Sequence, residues 1–189
     1  MGALVLSALP TALAVAVALL AAIGDLRSGR VPNWLTYGAL ACGLLLGLVA
    51  AGPRGALRAF IGAVIAFAPP FILFLVNRSI GGGDAKLLAG LGALLYRHDH
   101  REHLTVGLEI FILATVIASV FALFILARRG MLISSFSRAF ATITGNVIPG
   151  VRSKEPAQPS PKMRFTPMIA LATLAVVTRT AERAYEVIL

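Results

Sequence analysis

Two aspartates sit in matching settings, each where an apolar segment meets a short polar turn. Asp25 closes the first apolar stretch and is followed by Leu26, Arg27, Ser28, Gly29, Arg30, Val31, Pro32 and Asn33. Asp84 follows Gly81, Gly82 and Gly83 and precedes Ala85 and Lys86. A carboxylate near membrane depth is costly to hold, so its presence asks for a function. Two that converge cannot both ionise cheaply: one keeps a proton, its partner stays charged, and the pair titrates as a unit. The charged member can activate a water held between them. The protonated member can polarise a peptide carbonyl and later help protonate the leaving amine. That is the acid–base logic of an aspartic protease. The glycines beside Asp84 would let a substrate backbone come close.

The chemistry needs elements to hold it, and composition says what kind. The chain has 189 residues, 58% of them hydrophobic, with a mean hydropathy of +0.88. A soluble domain of this length is less apolar, so one polytopic, all-α membrane domain is expected over residues 1–189, with no room for a second. The single cysteine, Cys42, excludes an internal disulfide and any CxxC motif; it is expected as a small packing residue in an apolar helix. The net charge of +9 could suggest nucleic acid. The basic residues instead lie in loops between apolar spans, as orientation signals do, so no nucleic-acid partner is expected.

Six apolar segments are expected as about six transmembrane helices, at roughly 3–24, 35–51, 57–76, 85–96, 104–127 and 165–178. The first is long for a signal-peptide core and has no basic residue before Arg27, so it reads as a retained span. The third contains Pro69 and Pro70 and should be kinked. The fourth is short: Asp84 to Tyr96 is 13 residues, about 20 Å of helix against a hydrocarbon core of about 30 Å. Asp84 should therefore lie below the membrane surface, and the triple glycine should be non-helical backbone inside protein or lining a wet cavity.

Residues 128–164 form a long basic loop with seven lysines and arginines and one acid, Glu155. Its middle, 131–148, suits an interfacial helix, since Arg138 argues against a span. A proline-rich linker follows at 156–161. Thr166 and Pro167 look like a helix start, with Thr166 as cap. The tail beyond residue 178 suits an amphipathic end at the interface. The loops near 25–34, 77–86 and 128–164 carry 11 lysines and arginines, against 6 on the other side. The positive-inside rule then puts both aspartates on the cytoplasmic face and both termini outside.

These residues resemble the type IV prepilin peptidases, bacterial membrane aspartic proteases with a GxGD signature. Gly81-Gly82-Gly83-Asp84 matches that signature, and Ala85-Lys86-Leu87-Leu88 continues the usual run. Asp25 followed by Val31-Pro32-Asn33-Trp34-Leu35-Thr36 matches the first catalytic block. The two blocks in order, 59 residues apart, are far more specific than either alone. The resemblance implies that Asp25 and Asp84 are a catalytic dyad needing no metal or cofactor. It implies that the substrate is a prepilin or pseudopilin, cut after a glycine on the cytoplasmic face of the inner membrane. The basic leader is removed and the apolar helix stays in the bilayer. Bifunctional relatives carry an N-terminal domain with paired CxxC motifs that N-methylates the product. This chain is similar instead to the short branch serving tight-adherence (Flp-type) pili, and methyl transfer is not expected. The late family block, a Pro-aromatic-Gly run opening the last helix, is matched loosely by Met163-Arg164-Phe165-Thr166-Pro167.

Candidate substrate contacts are Gly81, Gly82, Gly83, Lys86 and Asn33. Lys86 is two residues past Asp84, and helical residues at that spacing do not face each other; it could bind substrate backbone or lipid phosphate, or snorkel to the interface. Asn33 and Trp34 could orient the loop after Asp25. Arg27 and Arg30 suit either a leader contact or topology signalling. The His98–His103 stretch fits no zinc spacing and reads as a solvated loop. Glu109 lies inside the fifth apolar segment and is a weaker functional candidate. Ser134, Ser135 and Ser137 lack a basic partner for serine chemistry. Two other functions remain open: a non-catalytic assembly subunit of a pilus or secretion machine, and a small proton-coupled transporter, for which carboxylates and broken helices would also serve.

Overall fold

The computed structural model describes residues 2–77, 81–96, 106–128, 130 and 164–186. The described residues are helical, with no strand among them. In order they are α1 (Gly2–Ser28), α2 (Asn33–Asn77), α3 (Gly82–Leu94), α4 (Val106–Arg128) and α5 (Thr166–Glu186). They fall in two compact units, Met1–Val116 with Arg164–Leu189, and Ile117–Met163.

Local chemistry sets each boundary in the first unit. α1 runs through Asp25 and stops at Gly29, whose φ of 67° suits glycine and whose N–H donates to the Asp25 carbonyl at 2.8 Å. The Pro32 carbonyl then opens α2, accepting from the Leu35 and Thr36 N–H groups. Inside α2 the backbone breaks at Ala51 and Gly52, the latter at φ 62°, ψ −153°, a region open mainly to glycine. Pro53 restarts the helix, as proline can in a first turn. The chain folds back there: a Cβ on Gly55 would collide with the Gly47 carbonyl oxygen. The arms 33–50 and 53–77 thus form a helical hairpin. They match the second and third apolar segments expected from sequence.

α3 is the central helix. Nine of its 13 residues are buried, Leu87, Leu88 and Leu91 completely. It packs mainly on the two arms of α2, and the approach is closest at small residues. A Cβ on Gly92 would fall 2.5 Å from the Gly62 carbonyl oxygen, and one on Gly43 2.6 Å from the Ala93 backbone. α4 joins through Gly107, beside Ala66 and Gly92. Its buried residues Val106, Gly107, Ile110, Phe111 and Ala114 make one stripe at helical spacing. α1 packs on α5, α3 and α2.

Outward faces are apolar too: Leu20, Val49, Leu57 and Leu75 are all more than half exposed. A helix apolar all round is at home in lipid. Three helices are long and apolar enough to cross a membrane: Leu9–Ser28, Asn33–Leu75, which contains the hairpin break, and Val106–Arg128. In the second unit, the rest of α4 ends with Arg128 over the Phe124 ring, 5.0 Å from its centroid.

Several expectations change. The kink expected at Pro69–Pro70 within the third apolar segment is absent: the backbone keeps helical dihedrals there. Gly82 and Gly83 are helical; only Gly81 is extended, at φ −70°, ψ 142°. An acid at Asp84 favours the start of a helix, and glycine does not forbid it. Cys42 is exposed on the surface of the chain instead of packed within it. The last helix continues to Glu186 without a separate tail element. The interfacial helix at 131–148, the linker at 156–161, the His98–His103 stretch and Ser134, Ser135 and Ser137 lie outside the described residues, as do the side chains of the tail.

Candidate active site

Three helix ends meet at one end of the first unit. The last turn of α1 carries Asp25, the first turn of α3 carries Asp84, and α5 begins at Thr166, with Arg164 just before it. Asp25 and Asp84 are each only 7% exposed, and they lie within electrostatic reach of each other. Burying one carboxylate is expensive, and burying two side by side is more so. The fold nevertheless holds both.

Asp84 is well supplied with donors. The Thr166 hydroxyl, itself 2% exposed, donates to Asp84 Oδ1 at 2.6 Å. The Gly81 N–H also bonds to the carboxylate. That second bond resembles a capping box, in which the side chain at the third helical position returns to the N–H of the cap residue. Asp84 thus has a structural duty as a cap beside any chemical one. Asp25 differs: its Oδ2 is buried and has no hydrogen-bond partner among the described residues. Its main-chain carbonyl accepts from the Gly29 N–H and from Arg164 Nη1.

The glycines have a packing reason as well. A Cβ on Gly83 would meet Val31 Cβ at 3.4 Å, and one on Gly24 would meet Pro32 Cδ at 3.4 Å. Val31 and Pro32 are thereby wedged between the end of α1 and the start of α3, fixing the two aspartates relative to each other. Gly82 lies near the Phe74 ring, and Gly81 is exposed beside Asp84 Oδ2. Of the three glycines expected to receive a substrate backbone, Gly81 has the open side, whereas Gly83 is covered by Val31.

Lys86 and Asn33 meet each other. Lys86 Nζ donates to Asn33 Oδ1 at 3.3 Å and lies 5.3 Å from the Tyr37 ring centroid. Lys86 therefore faces the first arm of α2, and the spacing by itself argues only against a direct pair with Asp84. Lys86 lines an apolar groove of about 270 Å³ between the arms of α2 and α3, together with Tyr37, Leu40, Phe60, Val64 and Phe67. Trp34 is 72% exposed, and Glu109, Arg27 and Arg30 are exposed.

Thr166 corrects one expectation. The Phe165 carbonyl, accepting from the Met168 and Ile169 N–H groups, opens α5, and the Thr166 hydroxyl goes to Asp84 instead of to its own helix. Sequence reasoning did not find Thr166 or Arg164 as site residues. A threonine before a proline reads as a cap, and an arginine at the end of a basic loop reads as one more charge.

The sequence model of the type IV leader peptidase family matches residues 12–127, more than half of the chain and a stretch that includes both aspartates. The chain is 29% identical over 93 residues to a preflagellin peptidase of Methanocaldococcus jannaschii, covering 47% of this chain. It is 33% identical over 81 residues to a preflagellin peptidase of Methanococcus voltae, covering 41% of this chain. The match spans 39% and 34% of the length of these two relatives. Residues Arg164 and Thr166 lie beyond the family match.

Proposed function

The chain belongs to the type IV leader peptidase family, and from that premise we propose that it is a membrane aspartic endopeptidase. It removes the short basic leader from Flp-like type IV prepilins at the cytoplasmic face of the inner membrane. The observation that carries this reading is the burial of Asp25 and Asp84 together at one end of the bundle. A structural ion pair would put a cation between them. Here Arg164 bonds to a main-chain carbonyl, and Lys86 bonds to Asn33.

The reaction follows from the pair. The charged carboxylate takes a proton from water as the water oxygen bonds to the scissile carbonyl carbon. The protonated carboxyl gives its proton to the carbonyl oxygen. Collapse of the tetrahedral intermediate breaks the C–N bond, and a proton from the pair goes to the leaving amine. The apolar helix of the substrate lies against the bundle, with the groove beside Lys86 as its seat. The basic leader stays on the cytoplasmic side. In this reading the two arms of α2 count as separate spans, α3 and α5 complete a set of about six, and both termini lie outside. The names of the archaeal relatives support the same class of substrate, a leader-bearing filament subunit.

The test is cleavage of a candidate prepilin in membranes containing the chain, with the cut mapped by mass. A cut after a glycine at the leader boundary supports the reading; an uncut panel of leader-bearing subunits from the same genome removes it. Lys86→Met is expected to raise KM about 5-fold, the worth of one hydrogen bond, with kcat unchanged. An equal fall in kcat would instead put Lys86 in the chemical step.

A further inference from the structure

Resting on the peptidase reading, we propose that Arg164 is a positioning residue for the reaction: with Phe165 and Thr166 it forms a brace that ties the Asp25 end of α1 to the Asp84 end of α3. Three consecutive residues at the head of α5 each hold a different helix. Arg164 Nη1 donates to the Asp25 main-chain carbonyl on α1. The Phe165 ring meets Phe111 of α4 edge-on, with centroids 6.4 Å apart. The Thr166 hydroxyl donates to Asp84 Oδ1 on α3 at 2.6 Å. Arg164 and Thr166 flank one residue, a span of at most about 7 Å of chain. From that short piece of backbone, two side chains reach the two helix ends that carry the aspartates.

Arg164 works on the main chain of Asp25, not on its carboxylate. The Asp25 carbonyl takes two bonds, from the Gly29 N–H at 2.8 Å and from Arg164, which fills the capacity of a carbonyl oxygen. Arg164 Nη2 lies over the same turn, 3.9 Å from where a Gly29 Cβ would stand. A guanidinium there meets the negative end of α1, where a cation is favoured, and its planar fork is pre-organised for such a contact. Helix ends fray, and Asp25 sits in the last turn of its helix. Asp25 Oδ2 is buried with no partner among the described residues, so the place of that oxygen depends on the backbone that carries it. Two carboxylates acting on one water need their separation held, since a misplacement of about 1 Å can cost about 10²-fold. A direct contact between Arg164 and the substrate is disfavoured, because the leader is basic and like charges repel.

The test compares Arg164→Ala and Arg164→Lys with wild type, following kcat and KM in the membrane cleavage assay and thermal melting in detergent. Asp25→Asn and Asp84→Asn are run alongside. Arg164→Ala is expected to lower kcat roughly 10–100-fold, while KM stays within about 2-fold. Arg164→Lys keeps the charge and loses the fork, so its kcat falls between those of Arg164→Ala and wild type. Millimolar guanidinium chloride should restore part of the Arg164→Ala rate, because position 164 is exposed to solvent; sodium chloride at the same concentration should not. A merely structural loss would respond the other way, since guanidinium weakens the folded state. Should Arg164→Ala not fold, Arg164→Lys decides alone: a lowered kcat at unchanged KM and melting temperature supports the brace, and a wild-type kcat overturns it.

Wild-type kinetics in Arg164→Ala, a changed KM with kcat unmoved, or a fall in kcat that guanidinium fails to relieve would each overturn the assignment. If any of these came with both asparagine variants inactive, the peptidase reading would stand without it. Cleavage surviving either asparagine substitution, or no cleavage of the subunit panel by wild type, would remove both.

Discussion

If the proposed reading holds, Asp25→Asn and Asp84→Asn are each expected to lower leader cleavage by roughly 10³-fold or more, with KM little changed. Positioned acid–base groups contribute about 10²–10⁴-fold, and removing one member of the pair disables both roles. The double substitution is expected to be no worse than either single one, because residues that act as a unit are not additive. Asparagine keeps the size of the side chain, so thermal melting in detergent should show a folded protein in each case. Glu109→Gln is the control. Glu109 is an acid inside the fifth apolar segment and is exposed on α4, and its loss should leave the rate unchanged. Asparagine variants that cleave at the wild-type rate would exclude an aspartic mechanism.

Gly92→Val should destabilise the bundle and also slow cleavage. A Cβ at that position would stand 2.5 Å from the Gly62 carbonyl oxygen and 2.7 Å from Ala66 Cβ. The first of these is backbone, so α3 and the second arm of α2 must separate. Gly107 of α4, whose own Cβ would meet Gly92 Cα at 3.2 Å, resists the same movement from the other side. Overpacking of this kind costs about 1–3 kcal/mol, read as a fall in melting temperature. The effect on rate comes from the stiffness of α3. Asp84 lies eight residues away on the same helix, about 12 Å, and a misplacement near 1 Å can cost about 10²-fold. Gly38→Ala makes the contrast: nothing lies within 4 Å of a Cβ there, and exchanging a helical glycine for alanine is worth up to about 1 kcal/mol in the favourable direction. If Gly92→Val melted like wild type, the close crossing of α2 and α3 would be wrong.

The helices were legible because hydrophobic run length reports directly on what lipid and core demand. The hairpin of α2 was read as two segments, 35–51 and 57–76, since Gly52, Pro53 and Arg54 interrupt the apolar run. The proline pair at 69–70 misled because a proline inside a helix can be accommodated when neighbours cover it, and Pro70 is fully buried. The three glycines misled in the other direction. Glycine is a poor helix former alone, yet Gly82 and Gly83 stay helical because Asp84 caps the turn and Val31 packs against Gly83.

The two aspartates, their order and the short polar turns beside them were determined by the sequence itself. A carboxylate in an apolar chain stands out by its desolvation cost, wherever the fold later puts it. Tertiary structure alone decided what each aspartate touches. Thr166 is 82 residues from Asp84 and Arg164 is 139 from Asp25, and no local pattern records a contact made across such a distance. Only packing brings the start of α5 against the end of α1 and the start of α3. There a hydroxyl that could have capped its own helix bonds instead to a buried carboxylate, where an unmade hydrogen bond costs more than one at a helix end open to water.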